Sequence, residues 1–201
     1  MTFVSAQSGE NDVAPTAHRQ RVLLAGAIDA NSPDAILFAA LIAARDSRQE
    51  LALLGLSRSE LDALLERHFP HCPNAIVSAR TAVVTIGNHA HADFVAALRA
   101  LLLDHVSVAV RHEDADCLAS IIAHACLRPD HLWRDLGFTG REAVSGMLER
   151  YFPTLAARNV ENMRWKKFLA QELAATMGFE PGPAPGCPGC EDYAFCFPSP
   201  R

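Results

Sequence analysis

LGLSRSELDALLERHFP (residues 54–70) and LGFTGREAVSGMLERYFP (residues 136–153) match each other, with one residue inserted in the second copy. Ser57 with Glu60, and Thr139 with Glu142, have the spacing of a capping box, in which hydroxyl and carboxylate satisfy orphan amides of a first helical turn. Pro70 and Pro153 stop both helices, because proline lacks an amide donor and restricts the residue before it. Two explanations stand: an internal duplication of helical hairpins, or convergence on good capping chemistry, since two copies fall short of a repeat array. Either way the pattern is helical, and the fold follows from it.

Outward from these copies the helical reading continues. Ser32-Pro33-Asp34 places an N-cap before a proline at the first helical position, and Ile36, Leu37, Ala40, Leu41 and Ala44 then recur at helical spacing. Residues 93–105 carry a stripe of Phe94, Leu98, Leu101 and Leu102, and residues 115–127 one of Leu118, Ile121, Ile122 and Ala125. A last long helix starts near Asn159 and ends at Gly178, with Trp165, Phe168, Leu169 and Leu173 on its apolar face. The β-branched run Thr81–Ile86 is too short and isolated to imply a sheet. The expected fold is all-α: an irregular helical bundle of residues 18–177, preceded by a disordered leader (1–17) and followed by an extended Cys/Pro/Gly-rich metal-binding tail (178–201).

Composition narrows the function. With 201 residues, half of them apolar, the chain suits one domain with appendages. A formal net charge of -5, with both signs mixed, does not give the basic footprint of a nucleic-acid binder. Neither a secretory apolar core near the N-terminus nor a membrane-length apolar run is present, so the expectation is a cytoplasmic protein without membrane contact. G-x-S-x-G, H-E-x-x-H and a glycine-rich phosphate loop are absent, and the chain is expected not to be an enzyme, with no catalytic residue assigned.

The chemistry concentrates in GCPGCEDYAFCFPSPR (186–201), where Cys187, Cys190 and Cys196 follow a C-x2-C-x5-C spacing. Thiolates select zinc, copper(I) or iron–sulfur clusters, and in a reducing compartment such spacing favours metal binding over disulfides. Gly186 and Gly189 would let the backbone fold tightly around a sulfur-bound metal. Zinc asks for a fourth ligand from elsewhere, whereas three thiolates suffice for three irons of a cubane. A dithiol redox role for Cys187 and Cys190 is a third option.

Around the tail, His131, His124 and Cys126 are candidate additional ligands, each with a blander reading as a hydrogen-bonding histidine or a buried thiol. Arg164, Lys166 and Lys167 form either a solvated face or a positive field that attracts anions.

HLWRDLGF (131–138), FPTLAARNVENMRWKKF (152–168) and CPGCEDYAFCF (187–197), in that order, resemble the NifQ family of nitrogen-fixation proteins. The resemblance extends upstream through SIIAHACLRPD (120–130) and more weakly to residues 54–70. It implies a molybdenum–iron–sulfur cluster carrier that processes molybdenum and donates it to iron–molybdenum cofactor biosynthesis for nitrogenase. The implied cofactors are an iron–sulfur cluster and molybdenum, and the implied partners are molybdate, an iron–sulfur donor and the cofactor assembly scaffold proteins. Cys187, Cys190 and Cys196 match three cysteines of the family pattern C-x4-C-x2-C-x5-C, but the position of the first cysteine is Gly182 here. The alternative reading is a zinc-stapled helical interaction protein.

Overall fold

The computed structural model describes residues 13–72 and 91–198, and every regular element among them is helical. The run Thr81–Ile86 lies outside the described residues, as do residues 1–12 of the expected leader. Residues 13–17, assigned to that leader from composition, instead open the first helix, α1 (Val13–Ala25). The chain divides into two compact units.

The first unit contains α1, α2 (Pro33–Asp46) and α3 (Arg58–His68). Pro33 begins α2 at its first turn, where the missing amide costs no hydrogen bond. Of the expected stripe of α2, Leu41 and Ala44 are buried, Leu37 and Ala40 half-buried and Ile36 exposed, and the buried face is widened by Ala35, Phe38, Ala39, Ile42 and Ala43. Small residues on that face let α1 and α2 pack closely, with Leu23 and Phe38 buried.

The second unit contains α4 (Ala92–Leu103), α5 (His112–Ala125), α6 (Leu132–Asp135), α7 (Arg141–Tyr151), α8 (Pro153–Ala156), α9 (Trp165–Met177) and α10 (Tyr193–Cys196). The expected core stripes of α5 and α9 are all buried. In α9, Trp165 and Phe168 meet edge to face with ring centroids 5.6 Å apart, each such side chain contributing about 1.5–3 kcal/mol on burial. α9 starts at Trp165 rather than near Asn159, because the Asn159 side chain closes a turn. Its Oδ1 accepts from the Met163 amide (2.8 Å) and its Nδ2 donates to the Met163 carbonyl (3.0 Å). Asn162 takes φ 52° within that turn, a conformation asparagine tolerates better than most residues. Gly178 closes α9 in the left-handed conformation (φ 71°), as expected of a terminating glycine.

The two matching stretches take the same backbone form. Gly55 and Gly137 have φ 72° and 77°, and α3 and α7 both end on a phenylalanine, Phe69 and Phe152, whose amide donates to a leucine carbonyl at 2.7 Å. The likeness reaches beyond the quoted residues. α2 and α5 both have 14 residues and α3 and α7 both have 11. Within each unit, the turn between the first two helices donates to the end of the matching 11-residue helix, α3 or α7: Ile28 to the His68 carbonyl (3.2 Å), and Ser107 to the Tyr151 carbonyl (2.9 Å). Convergent capping does not require this second bond, so the match is best explained as a duplicated three-helix unit.

The start of the copies differs. Ser57 and Glu60 form the expected capping box, but the inserted Gly140, not Thr139, is the N-cap of α7 and makes no side-chain cap. The insertion moves Glu142 to the second helical position, out of the register that a box with Thr139 needs. Ser57→Ala is therefore expected to cost about 1 kcal/mol, while Thr139→Ala leaves stability unchanged, both read from urea unfolding curves. Equal losses would contradict this assignment.

Candidate metal centre

The tail is not an extended strand of loose chain. Cys187–Gly189 forms a single 3₁₀ turn with Pro188 inside it, and Tyr193–Cys196 forms α10, so part of the tail expected to be extended is helical. The 3₁₀ turn accepts Pro188 because its amide would have lain in the unpaired first turn anyway.

Gly186 and Gly189 have a use that the sequence does not reveal. A Cβ on Gly186 would overlap the Arg128 carbonyl, and one on Gly189 would overlap the Pro129 ring. The glycines thus let the tail lie directly against the 128–129 backbone, fastened by the Gly186 amide donating to the Cys126 carbonyl (3.0 Å). Charged groups complete the attachment. Arg134 Nη1 pairs with Glu191 Oε1 (2.8 Å), Arg164 Nη2 pairs with Asp192 Oδ2 (2.7 Å), and Lys167 Nζ donates to the Cys196 carbonyl (2.7 Å).

Cys187, Cys190 and Cys196 line one cavity of about 50 Å³ together with His131, Arg141, Arg164, Lys166 and Lys167. Sequence positions from four separate segments, around 131, in α7, around 165 and in the tail, are thereby gathered on one concave surface. Among the described residues, no three His, Cys, Asp or Glu side chains stand close enough to hold a single ion. The donor set is sulfur-rich with an imidazole at its edge, which suits a soft metal or cluster and not magnesium or calcium.

Electrostatics at the thiols are finely opposed. Burial pushes the Cys187 thiol up, against the pull of the Ala184 backbone and Lys166, and its neighbours Cys190 and Cys196 push it further up. For Cys196, burial again raises the thiol, Arg164 and Lys167 pull it down, and Cys190 and Asp192 raise it. Both thiols are held protonated near neutral pH, so a metal must displace protons to bind them. The surrounding cations compensate the negative charge that then develops.

The three basic residues do not form a solvated face. Lys166 is only 6% exposed, and its Nζ donates to the Asp135 carboxylate and to the Arg128 carbonyl (2.8 Å). Arg128 in turn binds Asp135 Oδ1 through Nε (3.1 Å) and the Leu53 carbonyl through Nη1 (2.9 Å). This buried Lys166–Asp135–Arg128 network lies under the tail's attachment point. Sequence reasoning missed Asp135 and Arg128; each stood inside a quoted stretch, but nothing local marked them as partners.

The other candidates separate clearly. His131 lines the thiol cavity, its Nε2 lying 3.5 Å from Glu191 Oε1 and 3.4 Å from Asp192 Oδ2. It precedes α6 as N-cap but makes no side-chain cap. His124 turns elsewhere: its Nδ1 meets the Ser120 carbonyl at 2.8 Å and its ring covers Gly55, where no Cβ would fit. Cys126 is fully buried and does not line the cavity, and burial pushes its thiol up to about 12. At pH 8 its thiolate is then on the order of one part in ten thousand. In the folded protein, iodoacetamide at pH 8 is expected to spare Cys126 while labelling the half-buried Cys190 and Cys196, as peptide masses would show. Native labelling of Cys126 would contradict its burial.

Gly182, where the family pattern has a cysteine, lies outside the thiol cavity. It borders a separate apolar cavity between α4 and α9, lined by Phe94, Leu173, Met177 and Phe179, and a Cβ there meets nothing within 4 Å.

Fold and cavity together define a class: an all-helical protein that presents clustered cysteine thiols beside cations at the end of a duplicated helical unit. The chain belongs to the NifQ family, whose model matches residues 35–198. It is 38% identical over 159 residues to protein NifQ of Azotobacter vinelandii, covering 72% of this chain and 76% of that protein. Identity is 40% over 146 residues to a NifQ homolog of Sinorhizobium fredii, covering 72% of this chain and 60% of the relative. With protein NifQ of Rhodobacter capsulatus it is 39% over 101 residues, half of this chain and 55% of that one. No solved structure matches. No helix among the described residues is long and apolar enough to cross a membrane.

Proposed function

We propose that the chain is a cytoplasmic carrier, not an enzyme, that takes up molybdenum on an iron–sulfur cluster and passes it to the scaffold proteins on which the nitrogenase cofactor is assembled. The observation that carries this reading is the gathering of Cys187, Cys190 and Cys196 in one cavity with Arg164, Lys166 and Lys167 on its walls. Thiolates supply soft ligands for iron, and the cations favour both molybdate and an anionic cluster. Family membership supports the nitrogen-fixation setting.

The tail's fastening suits release of cargo. Exposed ion pairs such as Arg134 with Glu191 contribute at most about 1 kcal/mol each, so these charge contacts are individually weak. A carrier needs this, since cargo held in a rigid closed site would leave slowly.

A zinc staple is less well supported, because direct contacts of Gly186, Gly189 and Lys167 already account for the tail's position. The two readings part on metal content. Anaerobically purified protein is expected to contain iron, to take up molybdenum, and to show iron–sulfur absorption and paramagnetic spectra. Stoichiometric zinc without iron would overturn the carrier reading.

A further inference from the structure

Three thiolates satisfy three irons of a cubane, and the fourth corner needs another donor. Neither Gly182 nor Cys126 fills that need in place: the first borders a different cavity and the second is sealed in the core. His131 is in the right cavity. Its side chain is 12% exposed, and its ring lies parallel to that of Trp133, with centroids 6.2 Å apart and planes 10° apart. Its backbone is also held, the amide donating to Asp130 Oδ1 at 2.7 Å.

The two ring nitrogens are not equivalent. Nε2 faces the carboxylates of Glu191 and Asp192, which lie between the second and third cysteines, while Nδ1 has no partner among the described residues. A metal-binding histidine characteristically gives its other ring N–H to a carboxylate, which fixes the tautomer and strengthens the donor nitrogen. Here the two carboxylates stand 3.5 and 3.4 Å from Nε2, beside the arginines they already pair with, and a small shift would bring one of them into that bond.

We propose that His131 is the fourth protein ligand of the bound cluster, coordinating through Nδ1, with Glu191 and Asp192 holding its Nε2–H. This inference rests on the carrier reading above. A neutral imidazole leaves the cluster one negative charge fewer than a fourth thiolate would. It also gives the fourth corner a donor unlike the other three, so that corner becomes the distinct position at which a different metal is taken up or released.

The test uses full-length protein, unlabelled and with ¹⁵N-histidine, reconstituted anaerobically with iron, sulfide and molybdate and compared by pulsed paramagnetic resonance. Wild-type protein is expected to show nitrogen coupling that changes with the isotope, and His131→Gln to lose it. His131→Cys should hold as much iron as wild type without the coupling, which separates ligation from damage to the fold. Glu191→Gln combined with Asp192→Asn should keep the coupling but release iron to a chelator at least tenfold more readily. A wild-type cluster without isotope-sensitive coupling, or coupling that survives in His131→Gln, overturns the inference while leaving the carrier reading intact. Wild-type protein that takes up no iron overturns both.

Discussion

Lys166→Met is expected to lower stability by about 3 kcal/mol. The ammonium is 6% exposed and its partner Asp135 9% exposed, so removing one charge leaves the other buried without its nearest counterion. Arg128 remains bonded to Asp135 Oδ1, which keeps the loss at the lower end of the range for a broken buried pair. The same substitution removes the donor to the Arg128 carbonyl, the group against which Gly186 packs. Tail and core should therefore loosen together. Urea unfolding followed by far-ultraviolet circular dichroism reads the first effect, and faster proteolysis between Gly178 and Cys187 reads the second. A loss below about 1 kcal/mol would mean that the charges reach water and that the network carries little. Replacing the pair as Lys166→Met with Asp135→Leu should recover much of the loss, because two apolar groups leave no charge uncompensated.

Cys187→Ser is expected to have the opposite profile: a large functional effect with a small structural one. Cys187 is the most buried of the three tail thiols and lies in the 3₁₀ turn that follows the close contact of Gly186 with Arg128. A serine hydroxyl is a poor ligand for iron, so iron content after anaerobic reconstitution should fall by at least tenfold. The helices should remain, since the side chain fills little volume and the backbone bonds around it are unchanged. Equal circular dichroism and unfolding midpoint, with iron lost, support a carrier. If the midpoint collapses together with zinc loss, the tail is a structural staple instead.

The duplication bears on how such a site arises. Both copies share helix lengths, the left-handed glycine and the bond from the first turn to the matching 11-residue helix. In the second copy the connection between its second and third helices is longer and includes α6, with His131 at its start and Asp135 at its end. The chain after α7 then adds α9 and the cysteine tail. Cavity residues come from this longer connection and from the added C-terminal segment, which the first copy has in shorter form or lacks, and from α7, whose counterpart α3 has the same length.

Local chemistry was legible in the residues themselves. Periodicity, the capping box at Ser57, the proline at the start of α2 and the closing Gly178 all depend on neighbours within about one helical turn, so they can be read without a structure. The C-x2-C-x5-C spacing likewise places three thiols, a residue type that suits soft metals, close together in the chain. Where a single inserted residue shifted the register, at Gly140, local reading misplaced the cap.

Tertiary structure decided what those cysteines face. Arg134 meets Glu191 from 57 residues away and Lys166 meets the Arg128 carbonyl from 38, distances in sequence over which no periodicity operates. The same packing turned Gly186 and Gly189 from metal-loop hinges into points of backbone contact, and buried a lysine that its charged neighbours had suggested was solvated. Sequence determined that this chain is helical and carries three closely spaced thiols near its end. Only the fold could bring them beside His131 and the cations, because a long-range contact is set by packing, and packing is a property of the whole chain.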